Sequence, residues 1–251
     1  MPNRKRFQPS KFLFLVMFCL TMDVCVGQSI HQYVTSHPSN DSSSRAVGTP
    51  GSGSLRHGKL FPYSGVNFVY FDSSSYVNSR AWCHEQLKST LIKSFEELDT
   101  LAPGIRFGVM ELSNQHGGPI KPHRTHQNGL SVDLMMPLQK NNEPFTELDQ
   151  LGASHYLLDF DQNGRWSNDT AVHIDFDNLA LLILTIHKQA SKQGLKLKKV
   201  IINTHLKDEL FRSGYGTVLK QSGVYVVQHL EPIVNDLHDD HIHLDFEVIK
   251  H

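Results

Sequence analysis

Hydrophobic positions follow two periods along this chain, and the periods mark out its elements. Val66, Phe68 and Tyr70 alternate with polar or small residues, as a half-buried strand does. Over residues 79–100, Leu87, Leu91, Phe95 and Leu98 recur at helical spacing, and Pro103-Gly104 ends the segment. Cys83 is expected to pack near this helix as a small hydrophobe. Arg106 to Leu112 reads as a second strand. Leu130, Val132 and Leu134 then alternate with Ser131 and Asp133, which puts Asp133 on the polar face of a core strand. Residues 137–176 show neither period, and a stretch of that length often walls a binding site. Asp177 or Asn178 is placed to cap a helix striped by Leu182, Ile183 and Ile186, with Gly194 as its stop. Lys199 to Asn203 predicts a short strand. Residues 241–248 predict the last one, with Ile242, Leu244, Phe246 and Val248 on one face and His241, His243, Asp245 and Glu247 on the other. The elements predict an α+β fold: one domain with a central, mainly antiparallel sheet flanked by helices.

The ends change this picture more than the middle does. Arg4, Lys5, Arg6 and Lys11 precede a short apolar run from Phe12 to Met22, and Cys25-Val-Gly27 offers small residues for cleavage, so residues 1–27 read as a signal peptide. The run is too short to span a bilayer comfortably, and no retained membrane anchor is expected after cleavage. Residues 28–56 are rich in Ser, Gly, Pro and Asn, with few apolar residues to offset ordering entropy, and read as a flexible spacer before a domain at 57–251. Once the leader is removed only Cys83 remains, so an intrachain disulfide is excluded. A formal net charge of −1 argues against a nucleic-acid partner. Oligomeric state stays open, a homodimer included.

Sixteen histidines are the one unusual count. Four crowd two stretches, His123-Arg-Thr-His126-Gln-Asn-Gly-Leu-Ser-Val-Asp133 and Asp239-Asp-His241-Ile-His243. Imidazole and carboxylate are the donors of a hydrolytic zinc, which takes three protein ligands and leaves one position for water. His126 on a loop and Asp133 on a strand, with Gly129 relaxing the turn between them, can be completed to a His2Asp set by His243 from a separate strand. The zinc site would then lie at the sheet face. His241 lies about 7 Å along the same strand face and suits a proton acceptor or oxyanion stabiliser. His123 and His238 flank the two motifs and are placed to position substrate. The isolated His57, His84, His155, His187, His205 and His229 read as structural or solvated. His173-Ile-Asp175 is a weaker candidate for metal.

At these residues the chain resembles the penicillin-insensitive murein endopeptidases, relatives of lysostaphin-type enzymes, D-Ala-D-Ala peptidases and the hedgehog amino-terminal domain. The likeness runs through Phe107-Gly-Val-Met-Glu-Leu-Ser, Gly117-Gly-Pro, His123-x-x-His126-Gln-x-Gly129-Leu-x-x-Asp133 and His238-x-x-His241-x-His243. It implies one catalytic zinc on His126, Asp133 and His243, with His241 as catalytic histidine and His123 and His238 as further active-site histidines. The implied reaction is hydrolysis of D-alanyl–meso-diaminopimelyl cross-links of peptidoglycan in the periplasm. Two other readings compete: a D,D- or L,D-carboxypeptidase on stem peptides, and a zinc-stabilised binding module without catalysis.

Overall fold

Alternating and striped residues sort into a main six-stranded sheet with helices behind it in a computed structural model that describes residues 29–249. The signal segment expected at 1–27 lies outside the described residues. Helix α1 spans Ile30–Ser36, and strands β1 (Arg45–Thr49) and β2 (Ser52–Arg56) form an antiparallel hairpin. The main sheet uses β3 (Ser64–Gly65), β4 (Phe68–Tyr70), β5 (Phe107–Val109), β6 (Ser131–Met135), β7 (Leu195–Ile201) and β8 (His241–Val248). Their spatial order is β7-β8-β6-β5-β4-β3, antiparallel except for the β4–β5 pair. The α+β architecture expected from the patterning is therefore the one found.

One face of β6 and β8 is apolar: Val132, Leu134, Ile242, Leu244 and Phe246 are all buried. They share a core with Leu91 and Phe95 of α2 (Glu85–Leu101) and Leu182 and Ile186 of α3 (Phe176–Lys192). Burying whole Leu, Ile and Phe side chains at about 1.5–3 kcal/mol each makes this layer the main source of stability. The opposite face of the same strands is left for polar residues, because strand side chains alternate.

Four expectations need correction. Within the flexible spacer expected at 28–56, residues 29–56 are folded onto the domain. Ser29 and Gln32 form a reciprocal capping box on α1, whose Tyr33 is buried and accepts a hydrogen bond from Trp82 Nε1 at 3.0 Å. Leu55 of β2 is buried as well, so a few well-placed apolar residues anchor a polar segment. The second helix starts at Glu85 rather than 79, because Trp82–Cys83 pairs with Lys59–Leu60 and His84 accepts from Gln86 N as N-cap. Residues 137–176 are not irregular: Leu138–Lys140 pairs with Glu143–Pro144 and Val172–Ile174, and a kinked 3-10 segment spans Asp149–Leu157. These strands are too short to show a period. Finally, Asp175 caps α3 by accepting from Asn178 N, whereas Asp177 accepts from Tyr215 N.

Candidate metal centre and its carboxylate supports

Register alone delivers half of the site. Asp133 on β6 is directly opposite His243 on β8, and Asp245 opposite Ser131, all four buried on the polar face. His241, one alternation before His243, shares that face. Asp133 Oδ1 lies 2.7 Å from His243 Nδ1, and Asp245 Oδ1 lies 2.8 Å from His243 Nε2. Asp245 also accepts from Ser131 Oγ at 2.6 Å and pairs with Lys199 Nζ at 3.0 Å.

The other half comes from the loop between β5 and β6. Its backbone turns through positive φ at Gly117, Gly118, His126 and Gly129. Glycine adopts that region freely; His126, at +66°, holds it at a cost of about 1–3 kcal/mol and needs surrounding support. The N-terminal hairpin supplies it. Gln127 N donates to Pro50 O, and Gln127 Nε2 donates to Gly51 O. Leu55 packs so closely over Gly129 that a Cβ there would meet its Cδ2 at 2.7 Å. From the other side Arg80 Nη2 donates to Lys121 O at 2.8 Å, and Arg80 Nη1 reaches both oxygens of Glu111. Glu111 in turn holds His123 Nε2 at 2.5 Å.

The two halves meet at Asp133. His126 Nε2 and Asp133 Oδ2 face each other at 3.2 Å, and His123 Nδ1 is 3.5 Å from the same oxygen. One donor atom from each of His123, His126 and Asp133 falls within 4.8 Å of the others, so this trio could hold a metal ion. The His243 ring lies 4.8 Å from that of His126. Both ring nitrogens of His126 and Oδ2 of Asp133 are buried without a hydrogen-bond partner. Burying a polar atom unsatisfied costs about 1–3 kcal/mol, and a cation held by one ring nitrogen of His126 and by Asp133 Oδ2 would remove the penalty at those two atoms. The donor set fits a divalent ion.

Electrostatics divides the imidazoles into types. Burial lowers the pKa of His126 by more than Asp133 raises it, favouring the neutral, ligating form. Burial also opposes the charged form of His243, but Asp245 and Asp133 outweigh it and push the pKa up to about 10. At Asp133 burial works against ionisation, yet His126 and His243 hold its carboxyl well below the usual range. Glu111 behaves likewise, held at about 2 by His123 and Arg80 despite its burial.

His241 belongs to a third group. Its Nδ1 sits 2.5 Å from Asp240 Oδ1, and Asp240 raises its pKa against the effect of burial. With Nδ1–H donated to the carboxylate, Nε2 is the nitrogen free to exchange a proton. His238 stacks beside it, ring centroids 4.9 Å apart, and donates Nδ1–H to Val234 O at 2.6 Å. Burial, then His241, lowers its pKa to about 3, so it is neutral at physiological pH. Tyr156, from the segment expected to wall a site, packs T-shaped against the His241 ring with centroids 5.3 Å apart.

His123, His126, Asp133, His238, His241 and His243 therefore gather in one region. His123 was expected beside the metal set, whereas the structure places it among the possible donors. His173 and Asp175 do not join: Asp175 is a helix cap, and His173 Nδ1 contacts Ile174 O. His155, read as structural, lies close by, with Nε2 3.2 Å from Asp240 O. The supports Glu111, Asp240 and Asp245 were missed. Asp240 adjoins His241, and Asp245 sits two residues past His243 on the same strand face. For Asp240 adjacency was the available signal and for Asp245 the period; nothing local marks Glu111.

A family model described as penicillin-insensitive murein endopeptidase matches residues 46–250, beginning inside the N-terminal hairpin. A comparison with curated proteins found no match.

Proposed function

Starting from a chain that belongs to the penicillin-insensitive murein endopeptidase family, we propose a zinc-dependent periplasmic peptidase that hydrolyses D-alanyl–meso-diaminopimelyl cross-links of peptidoglycan. The observation that carries this reading is the approach of one donor atom each from His123, His126 and Asp133 to within 4.8 Å of one another, where loop and sheet meet. In the proposed assignment His126, Asp133 and His243 hold the ion, and His123 stands as the adjacent donor. A bound zinc would supply Lewis acidity and lower the pKa of water to about 7.

The chain's own groups do the rest. His241, oriented by Asp240, takes a proton on Nε2 and can return it to the leaving amine. His238, kept neutral by burial, lines the site beside it and orients substrate. His123, gripped by Glu111 and Arg80, fixes the loop side. Tyr156 narrows access next to His241. No serine is acylated in such a scheme, so a β-lactam finds no nucleophile to trap. No helix among the described residues is long and apolar enough to cross a membrane.

Purified protein incubated with cross-linked muropeptide dimers should release monomers, and a chelator should abolish the release. Intact dimers under zinc-replete conditions count against the proposal. Release of terminal D-alanine from monomers with dimers untouched would mark a carboxypeptidase instead. A binding module would keep its cellular role in His241→Ala.

A further inference from the structure

We propose that Asp245 is a positioning residue that presents the Nδ1 edge of His243 to the metal, with Ser131 and Lys199 holding Asp245 in place; this rests on the metal-site reading above. The argument begins with the two nitrogens of His243. Nε2 faces Asp245 Oδ1 at 2.8 Å, and an ionised carboxylate only accepts, so Nε2 carries a proton. Nδ1 faces Asp133 at 2.7 Å, on the side where the His126 ring also lies. Asp133 accepts from Nδ1 in the same way, so an ion bound beside Asp133 takes the place of the Nδ1 proton while Nε2–H stays on Asp245. A neutral imidazole without such a partner exchanges its proton between the two nitrogens, and part of the population is then unable to ligate through Nδ1.

Asp245 is itself fixed on both oxygens. Oδ1 accepts from Ser131 Oγ at 2.6 Å, and Oδ2 pairs with Lys199 Nζ at 3.0 Å. Ser131, Asp245 and Lys199 occupy one rung across β6, β8 and β7, and two rungs along, on the same face, Asp133 stands opposite His243. Ligands and support thus share the same register. A slip of β8 by one residue would turn Asp245 and His243 to the apolar face, and a slip of β6 would do the same to Ser131 and Asp133. A purely structural ion pair would serve the sheet equally well in any orientation of the His243 ring. The short contact to Nε2 is what ties this pair to the site.

The test measures zinc affinity of the folded protein by chelator competition, and the visible spectrum of the cobalt-substituted protein, for wild type, Asp245→Ala, Asp245→Asn and Lys199→Met. Asp245→Ala should weaken zinc binding about 10–100-fold and alter the cobalt bands, as loss of such an outer carboxylate does elsewhere. Asp245→Asn should fall between, since its amide oxygen still accepts from Nε2–H without the charge, and Lys199→Met should have the smallest effect. A folded Asp245→Ala with wild-type affinity and spectrum overturns the proposal. Should that variant fail to fold, equal affinity in Asp245→Asn and wild type overturns it instead. Muropeptide cleavage by wild type is scored separately. Cleavage with undiminished zinc affinity in Asp245→Ala removes only the role of Asp245. Failure to cleave, with affinity lost in Asp245→Ala, removes only the peptidase reading, and a wild type that binds no zinc overturns both.

Discussion

The two halves of the candidate metal centre are built by different means. Asp133, His243, His241 and Asp245 stand on paired strands, where hydrogen-bonded register sets their spacing and an apolar reverse face holds the strands in place. His123 and His126 stand on a loop that turns through left-handed backbone, including a histidine at φ +66°. That loop is held from outside, by the β1–β2 hairpin and Leu55 on one side and by Arg80 and Glu111 on the other. The strand half is rigid because the core is rigid. The loop half is only as rigid as its clamps, and so the N-terminal segment, which by composition resembles a linker, is part of the site's scaffold.

The sharpest way to probe this contrast is to remove the residue both halves share. Asp133→Ala should abolish zinc retention by elemental analysis, along with activity, and retention of one zinc per chain would place the ligands elsewhere. Next in size, His241→Ala should lower kcat by about 10²–10⁴ while zinc content stays at wild-type level. A parallel loss of metal there would mean that the strand half cannot be divided into ligand and proton-transfer roles.

The loop half is tested by Gly129→Ala. It puts a Cβ at positive φ against Leu55, and should cost about 3 kcal/mol, a fall in Tm of roughly 6–12 °C. Adding Leu55→Ala should recover part of the clash, so the double variant should lose less than the sum of the singles. Strict additivity would show that the hairpin does not bear on the loop.

The smallest effect concerns the strand side alone. Asp149 lies by Arg106 and Met135 at the end of β6, and burial raises its carboxyl to about 7 against the opposing pull of Arg106. Between its ordinary value of 3.8 and about 7 the folded protein holds a proton that the unfolded chain has released. Stability therefore falls as pH rises through that window and levels off above it. Asp149→Asn should flatten the slope and add about 1 kcal/mol at pH 8 in denaturant unfolding, allowing for the group's partial exposure. An unchanged slope would locate the pH dependence in other groups.

Legibility in the sequence followed the same division. The alternation of Leu130, Val132 and Leu134 and of Ile242, Leu244 and Phe246 is enough to place Asp133, His241 and His243 on one polar face, because a strand has only two faces. The helices were readable from their stripes but not from their ends. His84 and Asp175 cap them through side-chain geometry that neighbouring candidates could equally have supplied. Residues 28–56 misled because composition averages over the segment, while Tyr33 and Leu55 each find a partner far away in sequence.

From residue order alone come the α+β class, the polar strand face and the histidines and aspartate that occupy it, since side-chain period and donor chemistry are local properties. Only tertiary structure decides that His123 approaches Asp133, that Glu111, Asp240 and Asp245 each back one imidazole, and that the hairpin clamps the His126 loop. These depend on which strands become neighbours and which loop ends are brought together. Contacts between residues as far apart as Ser131 and Asp245 exist only once the hydrophobic layer has chosen its pairing.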